Sequence, residues 1–238
     1  MIKLAVSGCL GRMGQRITEL ASADKTFKLS ALLEYPQHPN AHIYVGSIKI
    51  ATDSSALKGS SVLIEFTTPD ATIEHLKACL KYGVKMVIGT TGLNNEQRKI
   101  IQKASKKIPI VFSSNMSVGV NILFKLASEA AMKIGPDYRM KIIEAHHIHK
   151  KDAPSGTAKT IAEVIEGASG RKVADIQSIR EGEIIGDHDI ILESDVDTIT
   201  ISHSAKTRDI FAKGSLVAAK FLARKKSGLF NMQDVLGL

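Results

Sequence analysis

The sequence has no tryptophan, only two cysteines and six prolines, and just 5% of its residues are aromatic. No apolar run approaches the roughly 18–20 residues that a membrane helix needs, so a bilayer-spanning protein is not expected. Cys9 and Cys79 stand 70 positions apart. That spacing fits neither a disulfide framework nor a thiolate metal site, and it suits a reducing compartment. The opening Met1–Val6 is shorter than a secretion signal and runs directly into a glycine motif, which favours a cytoplasmic location. Arginine and lysine outnumber the acidic residues 32 to 24, a net charge of +8 that favours anionic partners. Nucleic acid is not the expected one, because no RRM, zinc-finger or basic-helix pattern accompanies the charge.

What is present is ordinary globular composition: 44% hydrophobic and 24% charged over 238 residues. A chain of this size buries about three-quarters of its extended surface and needs no covalent staple.

Through residue 117, short apolar runs alternate with helical patterns. Strands are expected at 2–6, 29–33, 62–66, 84–88 and 108–112, and helices at 11–23, 70–82 and 94–106. Apolar strands without polar alternation belong to a parallel sheet covered on both faces. Strands and helices at this spacing give right-handed βαβ units, hence a Rossmann-like, doubly wound α/β domain. The pattern then changes. A helix over 118–133 ends at Gly135-Pro136, a strand spans 139–145, and a helix spans 157–165. Three strand-like stretches follow at 176–180, 189–193 and 197–202, which suits a smaller α+β domain with a mixed sheet over 118–204. A last helix at 210–222 returns the chain, so that 205–238 completes the first domain.

Gly8-Cys9-Leu10-Gly11-Arg12-Met13-Gly14 joins the first strand to the first helix. Its spacing, G-x-x-G-x-x-G, is one residue longer than the usual dinucleotide fingerprint. It still places glycines where a backbone turns tightly against a pyrophosphate at a helix start. Glu34, 20 residues beyond Gly14 at the end of the second strand, suits an adenosine ribose and repels a 2′-phosphate. NADH is therefore favoured, with NADPH possible because Arg12 softens the discrimination. The loops after the next strands are small and polar: 66–69, Gly89-Thr90-Thr91-Gly92 and Ser113-Ser114-Asn115-Met116. In an open α/β sheet these edges face the ligand.

The densest chemistry is Glu144-Ala145-His146-His147-Ile148-His149-Lys150-Lys151-Asp152-Ala153-Pro154-Ser155-Gly156-Thr157, with three of the eight histidines inside four positions. Ser155 is placed to cap a helix whose first amides, from Gly156 and Thr157, suit a carboxylate. Histidine exchanges protons near neutrality, and lysine adds a positive charge. The segment reads as a site that binds an anion and moves a proton. Consecutive histidines make a poor tetrahedral set, so no metal is expected.

The string EAHHIHKKDAPSGTA, with GCLGRMG, FTTP, GTTG and SSNMSVGVN in this order, resembles the 4-hydroxy-tetrahydrodipicolinate reductase (dihydrodipicolinate reductase) family over nearly the whole chain. The resemblance implies reduction of a cyclic dicarboxylic imine by NAD(P)H in diaminopimelate and lysine biosynthesis. It implies His146 and Lys150 as the proton-handling catalytic residues, with His147, Gly156 and Thr157 on the substrate. Gly8, Cys9, Leu10, Gly11, Arg12, Met13, Glu34, Gly89, Thr90, Thr91, Ser113, Ser114, Asn115 and Met116 would hold the cofactor. It also implies a homotetramer built through a second domain that doubles as the substrate domain, with a small dicarboxylate substrate and the two domains closing over it. Some relatives carry arginine where Tyr35 and Thr68 stand, which again disfavours a 2′-phosphate here. Two other readings compete: an amino-acid aldehyde dehydrogenase, for which neither cysteine is placed as nucleophile, and a non-catalytic NADH sensor or scaffold.

Overall fold

The computed structural model describes all 238 residues. In chain order the elements are β1 (Ile2–Ser7), α1 (Arg12–Ala23), β2 (Phe27–Leu33), a small hairpin of β3 (Tyr44–Val45) and β4 (Ile48–Lys49), β5 (Val62–Glu65), α2 (Pro69–Tyr82), β6 (Lys85–Ile88), α3 (Asn95–Ala104) and β7 (Pro109–Phe112). Then follow α4 (Val118–Lys133), β8 (Arg139–His146), α5 (Gly156–Ser169), β9 (Asp175–Arg180), β10 (Asp187–Glu193), β11 (Thr198–Ser204), α6 (Asp209–Ala223), β12 (Gly228–Phe230) and α7 (Met232–Leu236). The chain divides into two compact units, Met1–Ser117 with Phe211–Gly237, and Val118–Ile210.

The first unit is built on a six-stranded sheet in the order β12-β7-β6-β5-β1-β2, with every pair parallel. Its inner strands are buried over most of their length, with Leu4–Ser7, Val62–Glu65 and Met86–Ile88 all closed to solvent. That explains their unbroken apolar runs. Leu63, Met86 and Ile110 pack with Leu76, Cys79 and Ile101 of α2 and α3 in one core. Each such side chain contributes about 1.5–3 kcal/mol by leaving water. Helix starts follow local chemistry. Thr68 caps α2 ahead of Pro69, and Asn94 and Gln97 form a reciprocal capping box on α3. The strand order reverses between β1 and β5, so the carboxyl ends of these two strands flank the crevice where open α/β sheets bind ligands.

Several short elements escaped the sequence pattern, the five-residue α7 among them. The β3–β4 hairpin falls between the strands expected at 29–33 and 62–66, and β12 adds a sixth strand beside β7 after α6. All three strands are only two or three residues long, too short for periodicity to register.

The second unit carries a four-stranded mixed sheet in the order β11-β10-β8-β9. β9 runs parallel to β8, while β10 is antiparallel to both β8 and β11. β8 alternates strictly: Met140, Ile142, Glu144 and His146 are buried, and the residues between them are not. The buried face packs on α4 and α5 through Leu123, Phe124, Ile161 and Ile165.

Candidate active site

Strand register assembles the polar centre of the second unit. On the helix-covered face, one cross-strand row is apolar, with Ile142, Ile190, Ile201 and Ile176 as neighbours. The next row along the same face is Glu144, His188, His203 and Ser178, and beyond it His146 pairs with Arg180. A period of two therefore carries the hydrophobic face directly into a cluster of ionisable groups at its end.

Glu144 is fully buried and organises the cluster. Arg180 grips it with two hydrogen bonds, of 3.0 and 2.8 Å, and the amide of Ser155 donates to it at 3.2 Å. His146 Nδ1 lies 2.5 Å from its Oε2. Burial pushes the Glu144 carboxyl up, but hydrogen bonds from Arg180, Ser178 and His146 more than offset this and hold it at about 2. A carboxylate accepts only, so the proton on this contact belongs to His146 Nδ1 and the neutral ring keeps its lone pair on Nε2. Burial pulls His146 below the ordinary histidine value; Glu144 opposes that, and the charges of Lys150 and Arg180 reinforce it. Its Nε2 lies over Gly186, where an added Cβ would stand 3.1 Å away, so the glycine leaves this nitrogen room.

The other predicted residues fall around this core. Ser155 caps α5, accepting from the Ala158 amide at 3.1 Å, and its hydroxyl lies 3.1 Å from His188 Nε2. Gly156 and Thr157 thus head a 14-residue helix, where the backbone presents partial positive charge. Lys150 Nζ sits 2.8 Å from Asp152 Oδ1 on the same connection between β8 and α5. His147 is half-buried, and its Nδ1 has no partner. His149 points elsewhere, exposed and 3.6 Å from Glu183. No group of three or more potential ligands is arranged to hold a metal ion. Sequence reasoning assigned no role to Glu144, Arg180 or His188. Glu144 stands two positions before His146 and so shares its face of a strand, but Arg180 and His188 arrive only through strand pairing.

In the first unit, the glycine motif is shaped as the motif requires. Gly8 has a φ of +64°, and a Cβ on Gly14 would lie 2.0 Å from the Gly8 carbonyl oxygen, so the first turn of α1 closes directly onto the loop. No side chain caps α1 at Gly11, which leaves its N-terminus to the backbone. Glu34 turns toward this loop and accepts the amides of Leu10 at 2.8 Å and Tyr35 at 2.9 Å. Thr90, Thr91, Ser113 and Ser114, from the loops after β6 and β7, line a single cavity of about 340 Å³. These features fit a dinucleotide. Cys9, Thr90 and Met116 are buried, so what they can offer a ligand is backbone. Burial, with the charge of Glu34, pushes the Cys9 thiol up to about 12, which keeps it protonated and unreactive.

Comparison with known proteins agrees with this geometry. Residues 2–116 match the family described as dihydrodipicolinate reductase, N-terminus, and residues 119–236 match dihydrodipicolinate reductase, C-terminus. The chain is 46% identical to the 4-hydroxy-tetrahydrodipicolinate reductase of Nitrosomonas eutropha, across all of this chain and 99% of that protein. It is 42% identical to that of Geotalea daltonii, with both chains fully covered. The solved structure of a dipicolinate-bound dihydrodipicolinate reductase from Paenisporosarcina sp. TG-14 superposes with a TM-score of 0.85 at 25% identity, covering 98% of each chain. An amine dehydrogenase from Mycobacterium smegmatis shares the fold alone, with a TM-score of 0.66 at 9% identity over 97% of this chain and 95% of that one.

Proposed function

This chain belongs to the dihydrodipicolinate reductase family, and from that premise we propose that His146 and Lys150 manage the protons of its reaction while the head of α5 holds the substrate. The reaction is the NAD(P)H-dependent reduction of the cyclic imine derived from 4-hydroxy-tetrahydrodipicolinate to tetrahydrodipicolinate, in diaminopimelate and lysine biosynthesis. Nothing favours a non-catalytic sensor or scaffold.

The observation that carries the residue assignment is the buried Glu144. A carboxylate with that many donors, placed to fix one imidazole tautomer, is costly to bury and serves no packing need. Through it His146 holds its proton on Nδ1 and presents Nε2 as an acceptor. The Lys150 ammonium supplies positive charge and a proton where negative charge builds as the imine is reduced. The amides of Gly156 and Thr157, with His147, bind a substrate carboxylate at the positive end of α5. A dipicolinate-bound relative supports a small dicarboxylate as the ligand.

The first unit holds the nucleotide at 8–13, 34, 89–91 and 113–116, and the reduced nicotinamide, when bound, supplies the hydride. NADH is preferred to NADPH, because Glu34 faces the glycine loop and no cation stands at Tyr35 or Thr68 to offset its charge against a 2′-phosphate. The protein works in the cytoplasm as a homotetramer. The second unit's sheet supports that assembly, since the face opposite its helices carries Ile143, Ile179 and Ile191, each only partly buried.

The test is Lys150→Ala, followed by NADH oxidation at 340 nm with freshly generated substrate. The expected result is a kcat lower by about 10²–10⁴-fold with unchanged NADH affinity. Near-normal turnover would remove Lys150 from the mechanism. Comparing kcat/KM for NADH and NADPH decides the nucleotide preference.

A further inference from the structure

At the switch point of the six-stranded sheet lies a second buried carboxylate that the chemistry above does not use. Glu65 ends β5 and is fully buried, directly beside Ser7, its register partner at the end of β1. Both of its oxygens are occupied. Oε2 accepts the Ser7 hydroxyl at 2.6 Å and faces His75 Nδ1 of α2 at 2.7 Å, while Oε1 accepts the Thr67 hydroxyl. A buried carboxylate is expensive unless ionic or hydrogen-bonding partners surround it. Burial alone would lower His75, but the hydrogen bond and charge of Glu65, with the charge of Glu74, raise it, so the imidazole keeps its proton to higher pH than an ordinary histidine.

The groups gathered on Glu65 are the roots of the loops that face the crevice. Ser7 precedes Gly8, whose would-be Cβ lies 2.9 Å from the Phe66 carbonyl oxygen, so the glycine loop and the 66–69 loop already touch. The Thr67 amide then donates to Thr90 Oγ1 at 3.1 Å, and Thr90 Oγ1 meets Thr72 Oγ1 at 3.0 Å. One connected chain of hydrogen bonds therefore runs from β1 through Glu65 to the 89–92 loop. All three loops read as parts of the dinucleotide site.

We propose that Glu65 and His75 are positioning residues for the dinucleotide: without touching it, they lock the glycine loop, the 66–69 loop and the 89–92 loop in one relative arrangement through Ser7 and Thr67. The inference rests on the reading of those loops as the cofactor site.

Titration calorimetry with NADH on the full-length protein tests it. Removing one charged partner from a buried hydrogen-bonded set is expected to weaken NADH binding by about tenfold in Glu65→Gln and in His75→Ala. His75→Asn, which keeps an N–H donor at the Nδ1 position, restores affinity. At saturating NADH, kcat and the KM for the imine stay within about twofold of wild type. Unchanged NADH affinity with only a lower Tm overturns the proposal, as does an imine KM that moves as far as the NADH affinity. Should Glu65→Gln not fold, Ser7→Ala and Thr67→Val each remove one donor, and normal NADH affinity in both overturns it equally. A wild-type protein that does not bind NADH would sink the cofactor reading itself. NADH binding abolished by Gly14→Val but untouched by Glu65→Gln would sink this inference alone.

Discussion

His146 and Glu144 show how much of the chemistry sits in single contacts. The imidazole donates through Nδ1 only because the group facing it is a carboxylate held ionised chiefly by Arg180, with Ser178. In Glu144→Gln that tautomer is no longer enforced, and kcat should fall by about two orders of magnitude. Loss of the negative charge also removes the interaction that raises His146, so the acid limb of the kcat–pH profile should move to lower pH. A profile that stays in place would show that Glu144 does not act through His146. His188 makes a second prediction. Burial, reinforced by the charge of His146, lowers it from 6.5 to about 4. The folded form therefore binds this proton more weakly than the unfolded chain does. Its stability contribution is complete above the ordinary value and is lost as pH falls toward 4. The loss reaches about 3 kcal/mol. Glu144, depressed to about 2, adds a further loss at still lower pH. Urea melts between pH 7 and pH 4 should show the first step, and His188→Asn should flatten it.

Secondary-structure elements place these contacts by their ends. α2, α3 and α5 each begin with a capping side chain immediately after a ligand-facing loop: Thr68, Asn94 and Ser155. A cap fixes where the loop stops and the helix starts, so it also fixes the loop's outlet. α1 by contrast starts at Gly11 with no capping side chain, where one would compete for amides that a pyrophosphate needs. Asn94→Ala breaks the α3 capping box and should cost about 1 kcal/mol. That is a Tm drop of about 2–4 °C for a domain of this size. Because Asn94 touches no proposed ligand residue, kcat should not change; a large loss of turnover would mean that the box shapes the 89–92 loop.

For the molecule as a whole, the two sheets differ in how they are finished. The inner strands of the parallel sheet are buried on both faces, whereas β8 of the mixed sheet is fully buried only on the face that meets α4 and α5. The opposite face carries the partly buried Ile143, Ile179 and Ile191 beside Lys141 and Asp189. A sheet face with this apolar content is suited to burial against other copies of the chain. Ile191→Lys points a charge out of that face. Sedimentation velocity at micromolar protein should then show a tetramer in the wild type and smaller species in the variant. A monomeric wild type would refute the assembly.

The sequence alone was enough to determine the order of the longer strands and helices, the parallel character of the first sheet, the glycine loop and the 146–157 segment. All are encoded by neighbours along the chain: unbroken apolar runs, caps three residues from the amides that donate to them, glycines at a strand–helix junction. It could not reveal the β3–β4 hairpin or β12, whose few residues carry no period and exist because a sheet edge accepts them. Nor could it reveal that Arg180 and His188 join Glu144, or that His75 and Ser7 meet on Glu65. Those meetings depend on register, and register is set by the hydrophobic faces of strands far apart in sequence. Tertiary structure alone decided which buried charges found partners, because a carboxylate without donors cannot stay ionised in a core.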